Sequence, residues 1–383
     1  MTAALTAVLR DVAQQQSVTR TSAPSAEWVL VDGVLRPVGA DYFRIIGAVD
    51  ADGDERLLIE QAESALVGLV VAPGPHGWRV LLNARAEPGL HGGAQFSTTV
   101  QSTPSNYEQR HGGAPTPYLD AVLGHRDDTE VLCDTQQYDW GQYYRGKVKR
   151  YTVVALPAEE PAPAPLVWVD EAALRALLRA DRLTTLDLRC AAVALLTLAH
   201  PVEQGEESPM DDHATAPLTP RPLAELERWH VDDHGIHDRR DERSVGWFRT
   251  VTGTREVGQW TQPLMILRDD LVVRLPMRDR DGRPEVAVAL ATADGLEGRR
   301  LWSPAPSTGG RPVSLLRASA EGGRFFEHGV TLSLVENATV ADDAQWLTLD
   351  RAIALCRADR ATSVELRLGV GLGVLHHDTT GAR

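Results

Sequence analysis

Cysteine is scarce in this sequence, and its three cysteines do not cluster. Cys133, Cys190 and Cys356 lie far apart, and no C-x-x-C pair is present. This spacing excludes the common zinc and dithiol motifs, which depend on closely spaced cysteines. Isolated cysteines among apolar residues are typical of buried free thiols in a reducing compartment. We therefore expect a cytoplasmic protein without disulfide bonds.

Cations and long apolar runs are scarce as well. The chain has 39 Lys and Arg against 53 Asp and Glu, a formal net charge of −14. Nucleic-acid binding needs a surplus of cations on one face, and no basic run of that kind is present. The longest apolar run, residues 190–199, is about half as long as a membrane-spanning helix. We expect neither a nucleic-acid partner nor a membrane partner.

The N-terminal residues 1–16 read MTAALTAVLRDVAQQQ. They have no basic n-region, and Arg10 and Asp11 interrupt the apolar run that a secretion signal needs. We expect an amphipathic helix here and no export.

The chain contains an internal duplication. Residues 168–189 read WVDEAALRALLRADRLTTLDLR and residues 346–367 read WLTLDRAIALCRADRATSVELR, so both ends are offset by 178 residues and the tetrapeptide RADR recurs. Apolar residues at helical spacing predict an amphipathic helix in each copy, followed by a second helix that starts near LDLR or VELR. A repeat of this length indicates duplicated domains, because solenoid units are several-fold shorter.

The similarity extends upstream into segments with strand-like alternation. Residues 141–156 correspond to residues 323–337, and each has a glycine, two aromatic residues and then a strand-like run. Several short strands followed by helices predict an α+β fold that is formed twice. We expect a first domain at residues 1–200, a linker without periodicity at residues 201–222, and a second domain at residues 223–383.

The two copies differ most in one polar segment of the first copy. Residues 93–113 read GAQFSTTVQSTPSNYEQRHGG, where the second copy has only RRLWSPAPSTGG at residues 299–310. A segment this rich in amides and hydroxyls is typical of a polar surface loop with turns at its proline and glycines. It is equally typical of a site for a sugar, because sugar hydroxyls need side chains that both donate and accept.

The same segment carries a resemblance to a known family. EPGLHGGAQFSTTVQSTPSNYEQRHGG, at residues 87–113, is similar to the signature of the NDP-hexose 2,3-dehydratases, with Thr-Val-Gln, Ser-Asn-Tyr and His-Gly-Gly in the same order. The resemblance extends to residues 133–154, to TQPL in the second copy and to both terminal helices. It implies two tandem duplicated Nudix-like domains, a homodimer, and two related sugar-nucleotide pockets per subunit, of which the first-copy pocket is active.

The chain departs from that pattern in places and has no Nudix box. Ala62 stands where the second copy has Pro263, and the second copy has lost most of the polar signature. No segment has the glycine and glutamate spacing of a metal-binding Nudix box, so we do not expect pyrophosphate hydrolysis. His230, His234 and His237 have spacings that a metal site can use. Gly235 and the crowd of charges around them favour a solvated linker or loop, and we expect no metal.

The resemblance implies elimination of water across C2 and C3 of an NDP-4-keto-6-deoxyhexose, such as dTDP-4-keto-6-deoxyglucose, in deoxysugar and antibiotic biosynthesis. The C4 carbonyl acidifies the C3 proton, and the C2 hydroxyl is β to that carbonyl, so an enolate can expel it. The protein must supply a base, an acid and donors to the oxygen that gains charge. No redox step occurs, and we expect no cofactor.

Three residues are candidates for proton transfer. Imidazole titrates near neutrality and a phenol can relay a proton, which favours His111 and Tyr107. Glu87 is a further candidate base. In the alternative interpretation His111 caps a turn, Tyr107 packs its ring and Glu87 lies in a plain loop.

The remaining candidates are expected to bind the substrate. The neutral side chains expected to bind hydroxyl or carbonyl oxygens are Gln95, Thr99, Gln101, Ser105 and Asn106. Arg85, Lys149 and Arg150 are candidate donors to the diphosphate, unless they are solvated surface cations. The resemblance adds Gln136 and Tyr144, because it implies that their segment lies beside the signature.

Two other functions stay open at this point. The eroded second copy suggests a paralogue that binds a nucleotide sugar without turnover, although the polar groups kept in the first copy argue against it. A lyase or cyclase that acts on another natural-product intermediate is the other alternative.

Overall fold

The structure is a computed structural model. It describes residues 2–22, 26–39, 41–110, 112–198, 216–253 and 257–380. His111 and residues 201–215 of the expected linker lie outside the described residues. The described chain consists mostly of strands with a few helices, which confirms the α+β prediction.

The elements of the two copies follow one another along the chain. The first copy contains α1 (Thr2–Gln14), β1 (Gln16–Thr21), β2 (Trp28–Val31), β3 (Val34–Pro37), β4 (Arg44–Val49), β5 (Glu55–Glu60), β6 (Ala65–Gly74), β7 (Gly77–Ala86), β8 (Ala94–Ser97), β9 (Val100–Ser102), α2 (Pro104–Tyr107), α3 (Leu119–Leu123), β10 (Glu130–Tyr138), β11 (Tyr144–Arg145), β12 (Val148–Ala155), β13 (Leu166–Asp170), α4 (Glu171–Arg179) and α5 (Leu186–Leu196). The second copy contains β14 (Thr219–Arg221), β15 (Trp229–Asp232), β16 (Gly235–Asp238), β17 (Arg243–Thr252), β18 (Gln259–Leu267), β19 (Leu271–Arg280), β20 (Arg283–Thr292), β21 (Arg300–Pro304), β22 (Ser307–Thr308), β23 (Arg311–Ser319), β24 (Gly329–Glu336), β25 (Thr339–Val340), β26 (Gln345–Thr348), α6 (Leu349–Arg357) and α7 (Val364–Thr380).

Each copy has a mixed sheet with the same pairing. The first sheet has the order β10-β12-β6-β7-β13, and the second has the order β23-β24-β19-β20-β21 with β26 also on β20. The central pair is parallel in both, β6 with β12 and β19 with β24. The register is equivalent too, since Val67 lies opposite Tyr151 and Val273 opposite Leu332. The pairing confirms the tandem duplication.

A pair of helices ends each copy, as the repeated segment predicts. Asp170 caps the N-terminus of helix α4, and its carboxylate accepts from the Ala173 N–H at 2.7 Å. Thr185 caps helix α5, and its hydroxyl accepts from the Leu188 N–H at 3.3 Å. Such caps satisfy backbone donors that the first helical turn leaves without partners. Helices α5 and α7 contact each other, so the two copies share one hydrophobic core.

The N-terminal helix is also confirmed. Helix α1 buries Leu9 and Val12 against β7 and β8 and leaves its opposite face to solvent. Among the helices that the structure describes, none is long and apolar enough to cross a bilayer.

The two copies exchange one strand each. β1 precedes the first-copy hairpin β2–β3 but pairs with β17 of the second copy. β14 precedes the second-copy hairpin β15–β16 but pairs with β4 of the first. Residues 219–221 are therefore a strand and not part of a linker, because the edge of β4 offers backbone groups that need partners. The domain boundaries at residues 200 and 223 stay a prediction.

Glycines bring the backbones of the two copies together. The Gly89 N–H donates to the carbonyl oxygen of Gly322 at 2.8 Å, and the Gly295 N–H donates to that of Gly141 at 2.6 Å. A Cβ at Gly89 would lie 1.5 Å from the carbonyl oxygen of Phe325. Because any side chain would occupy that space, only glycine permits this approach.

The first prediction concerns this contact. Gly89→Ala should lower the free energy of unfolding by about 1–3 kcal/mol or more, because the two copies must move apart to admit the methyl group. Thermal and urea unfolding measure the change. Gly258→Ala is the matched control, since its Cβ would come no nearer than 3.6 Å to the Thr252 carbonyl oxygen. Equal stability of both variants would contradict the contact between the copies.

A buried histidine lies close to the junction between the copies. His328 is 3% exposed, and its ring contacts those of Tyr143 and Phe325. Neither of its ring nitrogens has a hydrogen-bond partner among the described residues. Burial lowers the pKa of His328 to about 4, although Asp270 partly opposes the shift.

The second prediction follows from that shift. The folded pKa lies below the ordinary value of 6.5, so the unfolded chain takes up the proton first and falling pH favours unfolding. Between about pH 7.5 and about pH 5 the wild-type protein should lose about 2 kcal/mol more stability than His328→Leu. Urea unfolding at both pH values measures the difference. The exposed His76 provides the control variant, His76→Leu, which should behave like the wild type.

Candidate active site

A cavity of about 400 Å³ lies between the two copies. The first copy contributes neighbouring strand ends: Ala65 begins β6, Lys149 lies opposite it on β12, and Arg85 lies near the end of β7. The second copy contributes Trp260 of β18 and Arg324 of the turn before β24. The cavity therefore belongs to both copies, although its first-copy wall includes the polar signature that the resemblance singled out.

Lys149 lies at the inner wall of the cavity and is 4% exposed. Its Nζ atom is 2.9 Å from Asp187, 3.0 Å from Asp139 and 3.4 Å from Glu321. Burial alone would lower the pKa of Lys149, but these three carboxylates outweigh it and raise the pKa well above its ordinary value. The ammonium group therefore stays charged and can stabilise negative charge on a bound oxygen.

Glu321 connects this cluster to the second copy. Its carboxylate accepts from Lys147 Nζ and from the Tyr144 hydroxyl, each at 2.9 Å. Burial would raise the pKa of Glu321, but Lys147 and Lys149 outweigh it and hold the pKa well below its ordinary range. Glu321 is therefore ionised, and its pairing with lysines of the first copy joins the two copies at the cavity.

Glu87 and Arg85 form a second charged pair on the same wall. Arg85 Nε lies 2.8 Å from the Glu87 carboxylate, and both side chains are less than a tenth exposed. The two residues line the cavity beside Lys149. The lining of one cavity thus includes both a carboxylate and an ammonium group, the two kinds of group that an acid–base reaction on a bound ligand requires.

The equivalent positions of the second copy have lost these groups. Arg85 lies opposite Gln95 in the β7–β8 ladder, whereas the matching ladder pairs Ala291 with Leu301. Two residues further along, Ala293 stands in place of Glu87. In the first copy Lys149 lies opposite Ala65. At the equivalent pair of the second copy Val330 lies opposite Leu271, so a valine replaces the lysine. The fold is kept in both copies, and the charged groups are kept in the first alone.

The structure brings five of the predicted site residues together. The five that line the cavity are Arg85, Glu87, Gln101, Asn106 and Lys149. Gln101 donates through Nε2 to Asp187 at 2.8 Å and accepts from the Ser97 hydroxyl at 2.6 Å, so its side chain is fixed.

Three further predicted residues lie behind the wall. Gln95 is buried and donates to the Ser319 hydroxyl at 2.7 Å. The Ser105 hydroxyl donates to Glu63 at 2.6 Å, and Tyr144 donates to Glu321 as described above. Because these side chains are already hydrogen-bonded to protein groups, they position the wall of the cavity.

The structure places the other predicted residues elsewhere. Arg150 pairs with Asp134 at the surface, because it alternates with Lys149 along β12 and points to the opposite face of the sheet. Gln136 is exposed, and its backbone N–H donates to Asp359 at 2.8 Å. The Thr99 hydroxyl donates to a backbone carbonyl inside the sheet at 2.5 Å.

The two aromatic candidates for proton transfer have different outcomes. Tyr107 packs against the apolar cluster around Val70 and Val122 and does not line the cavity. Burial, together with Glu108 and Glu63, raises the pKa of Tyr107, so its phenol stays protonated. His111 lies outside the described residues, and its role stays a prediction.

The histidines considered for a metal site lie on the β15–β16 hairpin and not in a linker. His230 lies opposite His237, and both approach Asp232. Across the described ranges, no group of three or more His, Cys, Asp or Glu side chains is arranged to hold a metal ion.

Sequence reasoning missed three important residues, Asp187, Glu321 and Arg324. Asp187 occurs in the duplicated LDLR segment. An acidic residue in the first turn of a helix is common, so the sequence gives no reason to assign Asp187 to a site. Glu321 and Arg324 belong to the second copy, which has lost most of the polar signature. The structural register places Glu321 and Arg324 where the first copy has Trp140 and Tyr143. The sequence alignment of Gly141 with Gly323 is one residue out of this register, so it gave no signal.

Two solved structures are similar to parts of the chain. One, described as an ADP compounds hydrolase, is 12% identical and covers 42% of this chain and 80% of its own, with a TM-score of 0.24. The other, a Nudix hydrolase from M. smegmatis, is 23% identical and covers 33% of this chain and 80% of its own, with a TM-score of 0.20. At these TM-scores the likeness establishes nothing about function.

Comparison with curated proteins gives longer matches, all to proteins named dTDP-4-dehydro-6-deoxy-alpha-D-glucopyranose 2,3-dehydratase. The protein of Streptomyces violaceoruber is 27% identical over 424 residues, covering 94% of this chain and 93% of its own. That of Saccharopolyspora spinosa is 25% identical over 373 residues, covering 81% and 76%. That of Amycolatopsis orientalis is 26% identical over 310 residues, covering 73% and 60%. Residues 2–195, more than half of the chain, match the family described as NDP-hexose 2,3-dehydratase, and the chain belongs to that family.

Proposed function

We propose that this chain is a hydro-lyase that removes water across C2 and C3 of dTDP-4-keto-6-deoxyglucose in deoxysugar biosynthesis. One observation carries the proposal: the carboxylate of Glu87 and the ammonium group of Lys149 line one cavity, and the second copy has alanine and valine at the same positions. The names of the three relatives describe this reaction for those proteins.

The first step breaks the C3–H bond. We assign the base to Glu87, because it is the predicted proton-transfer residue whose carboxylate lines the cavity. The electron pair of the C3–H bond forms the C3=C4 bond of an enolate, and the C4 oxygen gains the negative charge. Lys149, whose pKa is raised well above its ordinary value, supplies positive charge to that oxygen.

The second step expels the C2 hydroxyl. The enolate re-forms the C4 carbonyl, the C2=C3 bond forms, and the C2–O bond breaks. Glu87 returns the proton it took from C3, so water leaves and the carboxylate is regenerated. The resulting C3 enol gains a proton at C2 and loses the proton of its C3 hydroxyl, which gives a 3,4-diketone. Atoms and charge balance without an oxidant or reductant.

Neutral side chains orient the sugar in this proposal. Gln101 and Asn106 line the cavity and carry amide groups that can both donate and accept hydrogen bonds. Gln101 is fixed by Asp187 and Ser97, so its orientation does not depend on the ligand. Such preorganised groups distinguish one hydroxyl configuration from another at little entropic cost.

The cellular setting follows the family resemblance. We propose that the enzyme works as a homodimer in the cytoplasm and serves the biosynthesis of an antibiotic or related natural product. Its two copies would be one folded unit within each subunit, with residues 1–200 and 223–383 as the duplicated parts. Gel filtration with light scattering tests the dimer.

The third prediction concerns the base. Glu87→Gln should lower kcat by about 10²–10⁴-fold, the range that loss of a general base gives. It should also abolish enzyme-catalysed exchange of the C3 proton in deuterated water, followed by NMR of the nucleotide sugar.

The matched control for that variant is Glu285→Gln. Glu285 is a buried carboxylate of the second copy, paired with Arg278 at 2.7 Å and absent from the cavity lining. It should retain both turnover and exchange. If Glu87→Gln still exchanged the C3 proton at the wild-type rate, the base would be another residue, with His111 the first to test.

The fourth prediction concerns metal ions. Because Lys149 supplies the charge that stabilises the enolate, dehydration of dTDP-4-keto-6-deoxyglucose should continue at an unchanged rate in excess EDTA. The unstable product is trapped with a 3-ketoreductase or measured as maltol. Loss of turnover in EDTA, with recovery on adding a divalent cation, would contradict the proposed role of Lys149.

The same assay separates the alternative functions. Binding of the nucleotide sugar without turnover would indicate a non-catalytic paralogue. Absence of both binding and turnover would favour a lyase or cyclase for another natural-product intermediate.

A further inference from the structure

We propose that Arg324, a residue of the second copy, binds the diphosphate of the nucleotide sugar, with the nucleoside against Tyr42 and Trp260 and the sugar at Lys149. This inference rests on the proposed function, since it takes the ligand to be a nucleotide diphosphate sugar. It assigns the second copy a direct part in substrate binding and replaces Arg150 as a diphosphate ligand.

Each of the other cations near the cavity already has a carboxylate partner. Arg85 pairs with Glu87 at 2.8 Å. Lys149 has three carboxylates within 3.4 Å. Arg150 pairs with Asp134 on the opposite face of its strand. A diphosphate that bound these groups would have to compete with carboxylates that are already buried beside them.

Arg324 differs from these cations in its partners. Its guanidinium donates to the Gly323 carbonyl oxygen at 2.7 Å and to Gln61 Oε1 at 3.2 Å, both of which are neutral acceptors. One face of the guanidinium lies 3.9 Å from the centre of the Phe43 ring. Within the described parts of the chain, no carboxylate forms an ion pair with it. Its position is therefore fixed while its positive charge is left for a ligand.

The position of Arg324 fits the middle of a nucleotide sugar. It lies near enough to Tyr42 to oppose the effect of burial, which raises the pKa of Tyr42 to about 12. Burial would raise the pKa of Glu321, but Lys147, Lys149 and then Arg324 outweigh it and lower the pKa, so Arg324 is also near Glu321. Arg324 is thus within electrostatic reach of both Tyr42 and the charged cluster at Lys149, and all three line the same cavity. A diphosphate joins a nucleoside to a sugar, so we place it at Arg324, with the nucleoside toward Tyr42 and the sugar toward Lys149.

Two aromatic rings also line the cavity. Tyr42 and Trp260 both contribute to the lining, one from each copy. Trp260 Nε1 donates to Gln262 Oε1 at 3.1 Å, and Gln262 Nε2 donates to the Gly323 carbonyl oxygen at 2.8 Å. These bonds connect Trp260 to the turn that contains Arg324. A flat base packs well against such rings, whereas a sugar needs polar groups such as those of the first-copy wall.

The duplication shows what changed at this position. The Met265 N–H donates to the Arg324 carbonyl oxygen at 2.8 Å, as the Ile59 N–H donates to that of Tyr143 at 2.8 Å in the first copy. The backbone contact is therefore the same in both copies. The first copy carries a tyrosine that packs against Phe325 in the core, and the second carries an arginine that faces the cavity.

The fifth prediction tests this assignment by the binding of dTDP alone, measured by calorimetry. Arg324→Gln should weaken dTDP binding by about 10- to 100-fold, the loss expected for a charge-assisted contact. The KM for the nucleotide sugar should rise by a similar factor, while kcat at saturation should stay within about threefold. Arg324→Lys, which keeps the charge, should recover part of the affinity.

Two control variants remove arginines that the inference leaves out. Arg278→Gln removes a guanidinium that lies 4.1 Å from the Trp346 ring centre in the second copy, away from the cavity. Arg150→Gln removes the cation that sequence reasoning favoured. Both should bind dTDP as the wild type does. Wild-type affinity in Arg324→Gln, or a large loss in Arg150→Gln, would overturn the inference.

The measurements also separate this inference from the proposed function. Binding of dTDP that depends on Arg324, without any dehydration, would support the diphosphate site and contradict the dehydratase. Dehydration with an unchanged KM in Arg324→Gln would support the dehydratase and contradict the diphosphate site. A wild-type protein that does not bind dTDP at millimolar concentration would overturn the inference outright.

Discussion

The structure depends on how the buried ammonium group of Lys149 is neutralised. A charge out of contact with water is very costly unless opposite charges and hydrogen bonds surround it. Asp139 and Asp187 come from the same copy, but Glu321 comes from the other. Removing one partner of such a cluster leaves an uncompensated buried charge, so separation of the copies is strongly unfavourable. An interaction that helps to hold the copies together therefore also forms the wall of the cavity at which we propose that the reaction takes place.

The other contacts between the copies serve the same junction. Two strands are exchanged, with β1 on the second copy and β14 on the first. The Gly89–Gly322 contact fixes the distance between the backbones of the two copies beside Glu87. The Gly295–Gly141 contact fixes that distance beside Tyr144. A duplicated pair of identical domains would have two equivalent cavities. Here one set of positions has kept its charges, and the second copy has become a wall that contributes Glu321, Arg324 and Trp260.

Much of this arrangement could be predicted from local pattern. The duplication, the terminal helices and the amphipathic helix α1 follow from the spacing of apolar residues, and Glu87, Gln101 and Asn106 belong to a recognisable polar segment. The predictions failed where strand pairing decides. Lys149 and Arg150 are adjacent in sequence, but alternation along β12 sends them to opposite faces, and only the pairing of β12 with β6 shows which face meets the cavity.

The sequence by itself determined the two copies, their secondary structure and the polar chemistry of the first, because these depend on residues a few positions apart. Tertiary structure alone decided that the cavity lies between the copies and that Glu321 faces Lys149, 172 residues away in the chain. A contact of that separation leaves no periodic trace in the sequence. It depends on how two sheets, two exchanged strands and two pairs of glycines pack together, and that packing exists only in the folded protein.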